Sequence, residues 1–296
     1  MPVLVALLVV TAIWGVTFVQ IKDALELYPL FAFLAVRFAI AVATLAPFAA
    51  SRVRTLGRDG VVAGASLGAL LAVGYGLQTA GLERTTVSAA GFVTGMYVVL
   101  TPIFGLLLFR TRVDVAVWAG VGLAVAGLAM LSGVESGSVA GDLLVLAGAA
   151  SYAVQIVLME RYAPRYDPLA FTICEMAAAF VGFGVVASAL GQVELPHGWT
   201  VWGALLVTGI FASALGYLVQ AWAQRRTTAT RTALLFALEP VFAGIFGYAL
   251  AGDRLGALGW AGCAVILAGI VVAEPAAARV LARATRRSAA TEGARA

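Results

Sequence analysis

The sequence predicts an all-α integral membrane protein of ten transmembrane helices, arranged as two inverted five-helix repeats. Three observations lead there. The chain of 296 residues is 62% hydrophobic and 11% charged, whereas soluble proteins carry roughly 25% charged residues. Its apolar residues fall into runs of about 20, the length that crosses a hydrocarbon core as a helix. The middle of the chain is also written twice.

The repeat is ungapped. Ala72-Val73-Gly74-Tyr75-Gly76-Leu77-Gln78 returns as Ala214-Leu215-Gly216-Tyr217-Leu218-Val219-Gln220. In the same register Arg84-Thr85-Thr86 returns as Arg226-Thr227-Thr228, and Trp118-Ala119-Gly120 as Trp260-Ala261-Gly262. Roughly a third of positions between Ala72 and Gly127 are identical to their partners, and a unit longer than a solenoid repeat marks a duplicated half-protein.

Ten runs are expected to span: Pro2–Gln20, Pro29–Ala50, Val61–Ala80, Thr86–Phe109, Val113–Leu131, Asp142–Met159, Pro168–Leu190, Thr200–Trp222, Thr230–Ala251 and Leu255–Ala273. The first lacks the basic start and small-residue cleavage site of a signal peptide, so it reads as a helix that stays. Cys174 and Cys263 both lie in apolar runs without motif partners, so neither a disulfide nor a zinc site is implied. The net charge of +4 does not point to nucleic acid; its distribution explains it better. Arg52, Arg54, Arg58, Arg110, Arg112, Arg161, Arg165, Arg225, Arg226, Arg231 and the tail arginines 279, 283, 286, 287 and 295 share one side, and only Lys22, Arg84 and Arg254 take the other. Fifteen against three places both termini in the cytoplasm of a cell-membrane protein. Residues 1–137 then form one repeat and 138–275 the other, with 276–296 a basic cytoplasmic tail facing anionic lipid.

An odd number of spans per half turns the second half upside down. Inverted repeats of this kind accompany secondary transport, because two halves rocking about a midplane site give alternating access. The alternative is that duplication merely builds a stable bundle.

Polar side chains in a bilayer are costly, and where they fall is informative. Helical spacing puts Trp14 and Thr17 on one face of the first span, Tyr75 and Gln78 on the third, and Thr94, Tyr97 and Thr101 on the fourth. Tyr152 and Gln155 line the sixth, and Ser213, Tyr217 and Gln220 the eighth. These stripes are expected to converge on a substrate cavity; the alternative is hydrogen-bond glue between helices, worth roughly 0.6–2 kcal/mol per contact. The fifth and tenth spans have no polar stripe. Gly120, Gly122 and Gly127, with Gly256, Gly259 and Gly262, suit close packing at the periphery against lipid or a second copy of the chain, which leaves room for a homodimer.

Three ionisable residues lie inside spans: Arg37, Glu175 and Glu239. Arg37 and Glu175 occupy nearly equivalent places in the two halves. They either pair across the pseudo-twofold or each face the cavity, and Arg37 also has the length to snorkel. Glu239 precedes Pro240, which breaks the helix and frees a carbonyl. That makes Glu239 a cation or proton site, or else a structural carboxylate capping a kink.

These residues resemble the EamA type of drug/metabolite transporter. The resemblance runs from Val5 to Ala273 and rests on Ala12-Ile13-Trp14-Gly15, Arg37, Val99-Leu100-Thr101-Pro102, Leu238-Glu239-Pro240-Val241-Phe242, Asp253-Arg254, Gly259-Trp260-Ala261-Gly262 and Ala268-Gly269. It implies ten helices in a five-plus-five inverted arrangement and export of amino acids, metabolites or drugs by exchange or proton coupling. The sequence departs from many relatives in having Asp253 for Glu, and Thr101 rather than Glu before Pro102.

A secondary transporter of small molecules is therefore the leading expectation, with Glu239 and Glu175 as ion-coupling candidates and the proton as the ion. A membrane-embedded enzyme and a non-transporting scaffold are the competitors. His197 is the only histidine, and no nucleophile–base, metal, cofactor or ATP-binding motif appears. Cysteine substituted at His197 should label from outside the cell, and at Arg58 and Arg286 from the cytoplasm; labelling of 197 and 58 from one side would sink the ten-span expectation.

Overall fold

A computed structural model describes residues 2–82, 84–85, 87–132, 138–246, 248–249 and 256–273. Thr86, Asp253, Arg254, the side chain of Lys22 and the basic tail at 276–296 lie outside them. Among the described residues every regular element is helical. The first part of the chain forms α1 (Pro2–Leu25), α2 (Leu30–Val53), α3 (Gly57–Leu82), α4 (Val87–Gly95), α5 (Tyr97–Phe109) and α6 (Val115–Ser132). The second forms α7 (Val139–Tyr162), α8 (Pro168–Ala189), α9 (Trp199–Val207), α10 (Gly216–Gln224), α11 (Ala229–Phe236), α12 (Glu239–Phe246) and α13 (Ala257–Ala273). A 3-10 turn follows α7 at Ala163–Arg165, and Thr208–Leu215 winds as a π-helix between α9 and α10.

Eight stretches among the described residues are long and apolar enough to cross a bilayer, and the apolar helices Pro2–Thr17 and Ala257–Ala273 are shorter. Three of the eight are interrupted. Ala89–Phe109 joins α4 to α5, Trp199–Gln224 takes in the π-helix, and Ala229–Phe246 joins α11 to α12. The last interruption, at Ala237 and Leu238, comes just before Pro240, which lacks the N–H to continue a helix. The other falls at Met96, well ahead of Pro102, which sits inside α5. The repeat offset of 142 maps Met96 onto Leu238 and Tyr97 onto Glu239. The two breaks thus coincide although the two prolines do not.

Helix starts are capped where the sequence supplies acceptors. Asp167 Oδ1 accepts from the Leu169 and Ala170 N–H groups at 3.1 Å, with Pro168 in the first turn of α8. At α11 the Thr228 hydroxyl accepts from Arg231 N at 3.3 Å, and Glu160 Oε2 on α7 accepts from Ala229 N at 2.7 Å.

Small residues set the helix crossings. α3 and α7 run antiparallel, with Gly81 against the Gly141 carbonyl and Gly148 against that of Gly74. α3 and α8 run parallel, Gly64 meeting Phe171 and Cys174, and Gly68 meeting the Glu175 backbone. α2 packs on α8 through Leu34, Phe38, Ala41 and Leu45 against Met176, Ala179 and Phe183. Gly15 of α1 admits Phe242 and Ala243 of α12.

The fifth and tenth runs use their glycine faces on each other rather than on lipid or a second copy. A Cβ on Gly120 of α6 would lie 2.5 Å from the Gly269 carbonyl of α13, and one on Gly127 would lie 2.6 Å from that of Gly262. The reverse contacts, Gly262 to Gly127 and Gly269 to Gly120, are equally close at 2.6 Å. Val121 and Ile266 are buried with them, and the faces left exposed carry Val115, Leu258, Leu267 and Val271. Gly122 and Gly256 point into open space.

A methyl group at Gly127 therefore has backbone to displace, and one at Gly122 has none. Gly127→Ala should lower the detergent melting temperature, by overpacking of roughly 1–3 kcal/mol. Gly122→Ala should leave it in place.

Candidate functional site

The polar stripes meet at the centre, where equivalent residues from the two halves of the repeat lie side by side. Tyr75 and Tyr217, equivalent in sequence, pack in one cluster with Phe38, Leu71 and Phe183. The Trp14 ring packs on Tyr217 at 5.7 Å between centroids, and the Tyr152 ring on Tyr75 at 5.4 Å. Glycine makes both contacts possible: a Cβ on Gly74 would meet the Tyr152 ring at 2.5 Å, and one on its partner Gly216 would meet the Trp14 indole at 2.9 Å. Phe236 closes on Trp14 from one side, and Phe38 and Phe183 flank Tyr75 from the other.

Around these rings the polar groups fall into two layers. Trp14, Tyr75, Gln78, Thr94, Tyr152 and Glu239 are half-buried. There Gln78 Nε2 donates to Thr94 Oγ1 at 2.9 Å, and the Tyr152 hydroxyl donates to Gln78 Oε1 at 3.0 Å. Deeper in, Gln155, Glu175, Gln220 and Gln224 are fully buried. Gln155 Nε2 donates to Glu175 Oε1 at 2.7 Å, and Gln220 Nε2 to Gln155 Oε1 at 3.2 Å.

Arg37 does not pair with Glu175. It is 4% exposed, and its Nε donates to Ser213 Oγ at 2.7 Å. The π-helix explains that reach. Its wider turns do not close the regular i→i−4 ladder, a geometry common at functional sites. Here the Ala212 carbonyl accepts the Trp14 indole N–H at 2.8 Å, beside the serine that receives Arg37. Arg37 and Glu239 do not close to ion-pair distance; Arg52 with Asp167, at 3.2 Å, does.

Tyr97 and Glu239 begin α5 and α12, so the second half of each broken span starts with a member of this cluster. The positive end of the α12 dipole lies at the Glu239 backbone. Thr17 stands apart, since its hydroxyl returns to the Trp14 carbonyl at 2.8 Å, and Thr101 likewise returns to Tyr97 O at 2.7 Å. Gln224 and Thr172 belong to the buried layer and were not expected there. Their signal was spacing: Gln224 is one turn after Gln220, and Thr172 one turn before Glu175.

The EamA-like transporter family matches residues 1–133 and again residues 139–273. The chain belongs to that family. An uncharacterized transporter of Archaeoglobus fulgidus is 33% identical over 269 residues, 90% of this chain and 83% of its own length. The uncharacterized inner membrane transporter YedA of Escherichia coli K12 is 29% identical over 92% of this chain and 90% of its own. A chloroplastic WAT1-related protein of Arabidopsis thaliana is 26% identical over 87% of this chain. A solved crystal structure shares the fold, with a TM-score of 0.78 over 93% of this chain and 97% of that one, at 20% identity. As an EamA-like protein the chain is a multi-pass membrane transporter, working on small molecules in a lipid bilayer.

Replacing Arg37 with Ala should strand a buried serine hydroxyl and remove a charged hydrogen bond worth roughly 1.5–3 kcal/mol. The melting temperature of the purified protein should fall, and further than in Ser213→Ala, which leaves the guanidinium free to find a neighbour.

Proposed function

We propose that this EamA-like protein is a secondary transporter working by alternating access, exporting small metabolites, amino acids or amphipathic compounds. In this reading ten helices form two inverted repeats, 1–137 and 138–275, with both termini and the tail at 276–296 in the cytoplasm. The observation that carries it is the reciprocal centre: Trp14 on Tyr217 over Gly216, and Tyr152 on Tyr75 over Gly74. A site built twice from equivalent residues presents much the same chemistry to either side when two halves rock.

The cargo follows from the lining. Trp14, Tyr75, Tyr97, Tyr152 and Tyr217 offer flat apolar faces, and Gln78 and Thr94 offer polar contacts at the edge. Arg37 keeps its terminal nitrogens beyond the bond to Ser213, and it does not close to ion-pair distance with the Glu239 carboxylate. A gap between opposite charges takes a zwitterion, carboxylate to Arg37 and ammonium to Glu239, which favours amino acids and their amphipathic relatives. Glu239 and Glu175 are the carboxylates available to a coupling proton.

Proteoliposomes preloaded with a panel of amino acids and aromatic amines test this directly. Efflux of at least one solute is expected, reduced roughly two- to tenfold in Tyr75→Ala and in Tyr217→Ala, the loss of an aromatic contact of roughly 0.5–1.5 kcal/mol in each. No efflux across the panel, from protein of normal folded yield, would remove the transporter reading. A cavity reading fails separately if both tyrosine variants transport like the parent chain.

A further inference from the structure

Between α7, α8 and α10 a buried carboxyl group has a partner on one oxygen and none on the other. Glu175 on α8 is 0% exposed. Its Oε1 accepts from Gln155 Nε2 at 2.7 Å, and Gln155 Oε1 accepts from Gln220 Nε2 at 3.2 Å. The same Gln220 nitrogen also donates to Gln224 Oε1 at 2.9 Å, and Gln224 Nε2 ends on the Ile156 carbonyl at 2.8 Å. Every amide nitrogen of the chain is engaged. Three buried oxygens have no partner: Glu175 Oε2, Thr172 Oγ1 and Gln220 Oε1. Thr172 lies one turn before Glu175 on the same face of α8, and Gln220 is joined to Glu175 through Gln155.

An ionised carboxylate in that place would be buried in hydrocarbon surroundings with one oxygen bare, which is among the costliest arrangements a membrane protein can hold. The surrounding elements supply no cation. α2 brings Arg37, whose Nε is bonded to Ser213 of the π-helix and which makes no ion pair with Glu175. α3 brings Gly68 against the Glu175 backbone, and beyond it Tyr75. α10 brings Tyr217, and α7 brings Tyr152 and the uncharged Gln155. What Glu175 lacks is a partner on Oε2. A hard metal cation takes about six or more oxygens, and three are unfilled.

We propose that Glu175 is the proton-carrying residue of the transport cycle. It is a neutral acid while the α7–α8–α10 network is closed, with Gln155 held on Oε1 and the proton on Oε2. When the network opens to water the O–H bond breaks, the proton passes to water, and the carboxylate left behind is hydrated until it is protonated again. This assigns the coupling role to Glu175 rather than Glu239, and it rests on the transporter reading.

Infrared difference spectra of the full chain in lipid, recorded across a series of pH steps, detect the carbonyl stretch of a protonated carboxyl group without any transported solute. The expected result is a protonated-carboxyl band in the parent chain that is lost in Glu175→Gln and kept in Glu239→Gln. Gln155→Leu should keep the band but move its titration to higher pH, because the carboxylate form loses its donor on Oε1; this variant serves if Glu175→Gln folds poorly. A band lost in Glu239→Gln and kept in Glu175→Gln overturns the proposal. So does a band abolished by sodium at constant pH, which would make the pocket a metal-cation site. Solute efflux without the band removes the proton site alone. The band without efflux removes the transport reading, and the cycle with it.

Discussion

Two aromatic rings lie directly on helix backbones at the centre of this molecule, and the arrangement around them follows from that contact. Tyr152 covers Gly74 and Trp14 covers Gly216. A methyl group at either glycine would displace a ring, and the ring is what brings the flanking helices together: α7 to α3, and α1 to α10 and the π-helix. Once seated, Tyr152 reaches Gln78 and Trp14 reaches the Ala212 carbonyl. The same two placements hold Tyr75 and Tyr217 in one packed cluster. An aromatic stack worth roughly 0.5–1.5 kcal/mol beyond its burial thus positions hydrogen bonds that would otherwise have no fixed geometry.

A bilayer interior offers no water to complete an unfinished hydrogen bond. The protein answers with irregular backbone where the polar groups are. The π-helix at Thr208–Leu215 and the breaks at Met96 and at Ala237–Leu238 all lie against the central cluster rather than at its edge. Arg37, Ser213, Trp14 and Ala212 form one continuous patch around the π-turns. The half-buried layer, with Gln78, Thr94 and Glu239, and the enclosed glutamine layer differ in what can reach them.

Much of this was legible in the chain. Spacing put Tyr75 with Gln78, Tyr152 with Gln155, and Tyr217 with Gln220 and Ser213, and the structure brings these faces together. The break at Leu238 was announced by Pro240. Two things were not legible. The break at Met96 has no proline to announce it, and Pro102, the residue that looked responsible, continues α5 undisturbed. Partnering across helices was also hidden: Arg37 and Glu175 sit at similar depth, yet one bonds to α10's neighbouring π-turn and the other to α7. Depth along a helix can be counted from sequence, but the rotation of one helix against the next is fixed by packing, here by glycines such as Gly64 and Gly68 where α3 meets α8. The glycines of α6 and α13 were visible too, but whether they met lipid, a second copy or each other depends on that same rotation.

The α6–α13 seam is self-complementary. Gly120 touches Gly269 and Gly127 touches Gly262, and the repeat offset of 142 turns each of these contacts into the other. One helix sequence is therefore enough to encode the whole crossing, since a single copy laid antiparallel on its twin makes both contacts at once.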